Sequence, residues 1–310
     1  SYADRQVSPA DAEWRMNFHH AGFFEREVRF YRELAEEVTL SVPDCYYSAL
    51  NEETGEFVLL LEDLAPARNG DRLAGCSLAE AALAIGEAAR FHAAWWDNPQ
   101  RIERHWAQSP DVNNTFQVVQ YLYQQSWQPF ASRLVSSLPN TIVAIGQRLE
   151  ERAIEVYEHL HRPPQTLVHS DFMLDNFFFA EVDGGLSLTV VDWQLLTVGR
   201  GAMDVASLLG GNLSIDDRRR HEMDLLRTYH AVLLQHGVRG YSFAQCLDDY
   251  RLSMLDGFIR MVISIGGDGL TDEQARAHRE IIWPRFCTAI LDLNVDALLP
   301  IILEETLPKT

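Results

Sequence analysis

His169, Asp171, Asn176 and Asp192 are the residues whose types and spacing could do chemistry. The first three fall within HSDFMLDN (169–176), at the spacing H-x-D-x-x-x-x-N, and Asp192 follows a short predicted hairpin. A carboxylate at Asp171 could accept the proton of an attacking hydroxyl. An amide oxygen at Asn176 and a second carboxylate at Asp192 could hold magnesium, a hard cation that prefers oxygen ligands, against nucleotide phosphates. The chemistry such a set suits is transfer of a phosphoryl group to a hydroxyl.

The elements that must position these groups can be read around them. FFFAEV (177–182) and LSLTVV (186–191) are rich in aromatic and β-branched residues, which suit strands. Asp183-Gly184-Gly185 reads as a three-residue connection. That register pairs Val182 with Leu186 and Phe177 with Val191, so Asn176 faces Asp192. Opposed residues in an antiparallel pair have Cα atoms roughly 4.5–5.5 Å apart, close enough for both side chains to share one cation. An H-x-D pair alone is commonplace, and an Asn before a strand is ordinarily a turn residue; the combination points to a site. A competing arrangement is a two-histidine, one-carboxylate iron centre built from His169, Asp171 and either His221 or His230.

Further out, apolar spacing predicts one or two helices between Ala10 and Glu37. A strand pair follows at Cys45–Leu50 and Glu56–Glu62. Ser77-Leu78-Ala79-Glu80 reads as a capping box opening a helix to about Trp96. Helices are expected over Asn114–Ser137 and Asn140–Leu160, and again behind caps at Ser214, Ser242 and Thr271. Pro66, Gly70 and Gly75 mark a boundary near 63–75, dividing the chain into a small part, 1–64, and a large helical part, 65–310.

With 310 residues the chain can bury a large core. Its net charge of −19 argues against nucleic acid or an anionic membrane surface as partner. A solvated acidic face accounts for most of that charge. Cysteines at 45, 76, 246 and 287 show no metal-binding or redox spacing and read as reduced thiols of a cytoplasmic protein. No run of apolar residues is long enough to span a bilayer. Lys309 is the only lysine, so the basic residues are otherwise arginines.

The chain resembles the aminoglycoside phosphotransferase and choline kinase-like group, a branch of the protein-kinase-like fold, and most closely its ecdysteroid-kinase-like subset. The resemblance is carried by FFEREVRFYREL (23–34), FVLLLEDL (57–64), GDRLAGCSLAEA (70–81), ARFHAAWW (89–96), LVHSDFMLDNFFF (167–179), VVDWQ (190–194), GRGAMDVASLL (199–209) and DDYRLSML (248–255). It implies an α+β, two-lobed fold: a small N-terminal lobe, here apparently truncated, and a large helical lobe bearing the catalytic hairpin. By the same resemblance ATP and Mg2+ are the cofactors, and the partner is a small molecule with a hydroxyl. An apolar or amphipathic alcohol is the first choice; aminoglycosides, macrolides and choline-like alcohols are the others. Asp171 would be the catalytic base and His169 a support of its loop. Asn176 and Asp192 would hold the metal. Glu27 would be the helix glutamate that pairs with a nucleotide-anchoring lysine, and the backbone of Leu61, Glu62, Asp63 and Leu64 would meet adenine. Asp204 would brace the loop from inside, and His92, Trp95 and Trp96 read as packed residues. The sequence departs from the pattern twice: Ser170 stands where glycine is common, and no lysine precedes Glu27. Either a preceding segment is missing, or Arg5 or Arg15 supplies the charge, though arginine fits a tight phosphate site differently from lysine. A catalytically silent nucleotide- or ligand-binding module is the alternative.

Overall fold

The computed structural model describes residues 23–51, 54–98, 115–134, 138–267 and 270–300. The beginning of the expected N-terminal helical region, and Arg5 and Arg15 with it, lie outside them.

Helix α1 (Phe23–Glu33) leads into a hairpin of β1 (Cys45–Leu50) and β2 (Phe57–Leu61). The two-residue strand β3 (Arg68–Asn69) then crosses to the large part of the molecule. Helices α2 (Leu78–Trp95), α3 (Thr115–Leu134) and α4 (Asn140–Leu160) precede strand β4 (Thr166–Val168). The segment carrying His169, Asp171 and Asn176 follows, with a 3-10 turn at Leu174–Asn176, β5 (Phe177–Val182) and β6 (Gly185–Val190). Next come a 3-10 turn at Trp193–Leu195, β7 (Thr197–Gly199), and helices α5 (Ala202–Asn212), α6 (Ile215–Gln235), α7 (Phe243–Gly266), α8 (Asp272–Ala277) and α9 (Trp283–Asp292).

The element starts have local causes. Ser77 with Glu80, Ser242 with Gln245 and Thr271 with Gln274 form reciprocal capping boxes, each satisfying two backbone donors at a helix end. Helix α4 breaks at Arg152 (φ −136°), and Gln120 of α3 repairs the break. Its amide nitrogen donates to the carbonyls of Leu149 and Glu150, and its oxygen accepts from the N–H groups of Ala153 and Ile154. An inserted side chain is a regular cause of such a kink.

Strand β5 joins β3 on one side and β6 on the other. The β5–β6 register differs from the sequence expectation by one residue. Asp183 (φ 53°) and Gly184 (φ 77°) both take left-handed backbone, giving a two-residue turn whose twist matches the strands. Val182 therefore pairs with Gly185 and Phe177 with Val190. Asn176 meets Val191, whose N–H it accepts at 3.0 Å, and Asp192 lies one residue beyond. Short β4 and β7 pair antiparallel beside this sheet. One buried core runs from α1 through the hairpin into the helices. Phe30 of α1 stacks on Trp193 with ring centres 4.0 Å apart, fixing α1 against the residue that follows Asp192.

Candidate active site

The loop between β4 and β5 carries the expected base. Helix α5 grips it at both ends. Asp204, fully buried in the first turn of α5, accepts the backbone N–H groups of His169 and Ser170, each at 2.8 Å. Asn212, the last residue of α5, accepts the N–H of Leu174 at 3.1 Å. Asp204 is itself tied to His92 of α2, and His92 to the Tyr229 hydroxyl of α6 at 2.8 Å. His92 and Trp95 are fully buried, and Trp96 packs partly buried against the core. His92 is therefore a core histidine, and it reaches the site only through Asp204.

Both ring nitrogens of His169 are engaged. Nε2 lies 3.0 Å from the Val191 carbonyl, which can only accept, so Nε2 carries the proton. Nδ1 then accepts the N–H of Asp171 at 3.2 Å. The ring holds the loop and has no lone pair left for a metal. His230 spends Nε2 on the Tyr241 carbonyl. Among the described residues no group of three His, Cys, Asp or Glu side chains could hold a metal. The iron-centre expectation is thereby overturned: no such cluster forms, and His169 and His230 spend ring nitrogens on backbone hydrogen bonds.

Asp171 and Asn176 are brought together by the tight turn. The Asn176 amide nitrogen donates to the Asp171 carbonyl (2.8 Å) and to its carboxylate (3.0 Å). That leaves the Asn176 amide oxygen without a partner among the described residues. Asp192 takes left-handed backbone (φ 66°). One carboxylate oxygen accepts from Gln194 at 3.3 Å, and the other, Oδ1, is buried without a partner. Burial, with the charge of Asp171 added, pushes the Asp192 carboxyl above the usual carboxylate range. Glu27 is pushed up to about 7, chiefly by burial and then by Asp192, against a hydrogen bond from the Trp193 backbone. Crowded carboxylates with two unpartnered oxygens fit a divalent cation, which would relieve both the repulsion and the unpaired acceptor.

In the expected linker, the Glu62 N–H is spent on the Asp44 carbonyl and the Leu64 carbonyl on the Ala67 N–H, both at 2.8 Å. Asp63 turns its carboxylate back to the N–H of Ala65. Glu62 and Asp63 are exposed, while Leu61 and Leu64 are half-buried. The Glu62 carbonyl and the Leu64 N–H remain open among the described residues, so only part of this backbone is free for a base edge.

Two residues near the site escaped the sequence reading. Arg260 of α7 lies within the electrostatic influence of Asp171. Arg26 stands beside Glu27 on α1 and faces a cavity at the loop. The D-x-x-x-R spacing of Asp256 and Arg260 was visible, but it looks like an ordinary surface helix pair.

A family model described as the ecdysteroid kinase-like family matches residues 6–239. Comparison with curated proteins finds no match. Among solved structures, a microcompartment-associated aminopropanol kinase aligns with TM-score 0.54 and 14% identity, over 92% of this chain and 82% of that one. A choline/ethanolamine kinase family protein from Mesorhizobium loti aligns with TM-score 0.50 and 16% identity, over 89% and 82%. Plasmodium vivax ethanolamine kinase aligns with TM-score 0.50 and 14% identity, over 87% and 72%. At these identities the likeness shows the fold: α+β and protein-kinase-like.

Proposed function

The chain belongs to the ecdysteroid kinase-like family, and on that footing we propose that it is an ATP- and magnesium-dependent phosphotransferase acting on the hydroxyl of a small, apolar or amphipathic alcohol. One observation carries the reading. Asn176 and Asp192 each keep one oxygen free beside the hydrogen-bonded carboxylate of Asp171, on a loop whose backbone is fixed by Asp204. Asp171 orients the acceptor hydroxyl and takes its proton. His169 and Asp204 hold that carboxylate in place. A divalent cation bound by Asn176 and Asp192 would neutralise charge on the nucleotide phosphates. The open Glu62 carbonyl and Leu64 N–H would receive the adenine edge. Catalysis then rests on positioning and charge rather than on a covalent intermediate. A catalytically silent binding module is less well supported, since it would have no use for two metal-facing oxygens left unpaired beside a held carboxylate.

Asp171→Asn tests the assignment. Turnover should fall by about 10²–10⁴-fold, the range of positioned proton transfer, while ATP with magnesium still raises the melting temperature. Parental turnover in that variant would refute the base. Loss of the magnesium-dependent part of the shift in Asp192→Asn would support the metal assignment.

A further inference from the structure

A cavity of about 150 Å³ lies against the catalytic loop. Phe116 of α3 and Tyr157 of α4 give it aromatic walls, Ser170 and Thr197 contribute hydroxyls, and Arg26 and Arg260 supply cationic groups. Among the described residues no aspartate or glutamate lines it. Its volume suits a body about the size of a benzene ring.

Arg260 is held in a defined pose. Its Nε donates to both oxygens of Asp256, at 3.1 and 2.9 Å, and the Tyr157 hydroxyl donates to the same carboxylate at 2.6 Å. Asp256 is buried (8% exposed) while the Arg260 side chain keeps 36% of its surface open. Its hydrogen bonds to Asp256 run through Nε, and the Tyr157 hydroxyl lies beside the guanidinium. The terminal nitrogens keep donor capacity beyond these contacts, and such a fork matches the two oxygens of a carboxylate or phosphate. Ser170 and Thr197 provide an independent sign of an occupant. They are 7% and 4% exposed, and each hydroxyl is buried without a hydrogen-bond partner. Leaving such groups unsatisfied is costly, and a polar ligand would satisfy them.

We propose that this cavity is the acceptor site and that it selects a compact hydroxylated molecule carrying an anionic group, with Arg260 as the specificity-determining residue. The inference rests on the phosphotransferase reading of Asp171. The apolar body of the acceptor packs against Phe116 and Tyr157, and its anionic oxygens meet the free edge of Arg260. Its hydroxyl lies towards Ser170 and Asp171. An acceptor bearing an amine would bring a second cation against Arg260, with no carboxylate among the described lining residues to receive it.

Three matched probes test this by titration calorimetry on the whole chain: para-hydroxymethylbenzoate, the corresponding benzamide and the corresponding benzylamine. The acid should bind ~10–100-fold more tightly than the amide, the worth of a charge-assisted hydrogen-bonded pair, and the amine most weakly. Arg260→Gln should erase the preference and Arg260→Lys restore part of it. Should Arg260→Gln fail to fold with Asp256 left unpaired, the double variant Asp256→Asn/Arg260→Gln keeps a neutral hydrogen-bonded pair and should show the same loss. Absence of any preference for the acid in the parental chain, including absence of binding by all three, overturns the proposal. So does an acid preference unchanged in the Gln variant. A melting shift with ATP and magnesium, run on the same samples, reports the kinase reading separately. A shift without acid preference sinks the acceptor class and leaves the kinase reading; an acid preference without a shift sinks the kinase reading, and with it the cavity's role as acceptor site, leaving only an anion-selective pocket.

Discussion

Ser170 shows why a departure from a family pattern has a physical cost. Its φ of 67° lies in the left-handed region, where glycine is at ease and a side chain is strained. The backbone stays there because Asp204 takes its N–H and that of His169 together. The hydroxyl gains nothing in return within the protein, since it is buried and unpartnered. Ser170→Gly should therefore raise stability by about 1 kcal/mol, read as a higher midpoint in urea unfolding. A lower midpoint would mean that the strain is already compensated. The residue scale was also where the sequence was most legible. The spacing of His169, Asp171 and Asn176 is a local property, and a single tight turn converts it into contact. Asp192 was harder to place. Its position depends on whether the hairpin turn has two residues or three, and Asp183, which adopts positive φ without being glycine, decided that. The role of Asn212 could not be read, because it depends on a helix end folding back against the loop.

Elements do the positioning, and their close approaches expose them to single changes. Gly70, just after β3, donates its N–H to the Phe177 carbonyl at 2.8 Å, and a Cβ there would stand 2.3 Å from the Leu174 carbonyl oxygen. Gly70→Ala must push β3 away from the 3-10 turn that carries Asn176, at a cost of about 1–3 kcal/mol in stability. The displacement should also weaken the magnesium-dependent melting shift more than the shift with nucleotide alone. Equal loss of both would put the effect in the core and not in the turn. Helix starts at Ser77, Ser242 and Thr271 were legible because a capping box is a four-residue signal. The π-helical turn at His278–Ile282 had no such signal. His278 accepts from Arg72 through Nε2 at 2.8 Å, so its proton sits on Nδ1, which donates to Ser264 at 3.0 Å. Burial and then the Arg72 charge depress His278 from 6.5 to about 4. The unfolded chain thus takes up this proton before the folded one does. The stabilising contribution is complete above 6.5 and is lost as pH falls from there towards about 4. In thermal unfolding across that window, His278→Gln should show a shallower fall of midpoint with acid than the parent. Parallel curves would remove His278 as the cause.

At the scale of the whole molecule, a strongly acidic chain carries a site that, on the proposed reading, receives anions. The net charge is −19, yet the cavity at Ser170 is lined by Arg26 and Arg260 and, among the described residues, by no carboxylate. None of the described helices is long and apolar enough to cross a membrane. These two fields differ in range. The repulsion comes from carboxylates spread over many ångströms of surface, and salt screens it once the Debye length shrinks to about 8 Å at physiological ionic strength. The attraction acts over a few ångströms inside a concave wall, where screening is weaker. Raising salt should therefore remove the barrier to approach while leaving the local attraction largely intact. The association rate of an anionic acceptor, measured by stopped flow at fixed nucleotide, should rise severalfold between about 10 and 150 mM salt, with the dissociation rate nearly constant. A cationic acceptor would show the reverse, its approach steered at low salt and slowed as salt is added. An association rate for the acid that falls with salt would mean that the arginines set the field at the cavity mouth. Steering would then be attractive from the first encounter, and the −19 would belong to faces turned away from it.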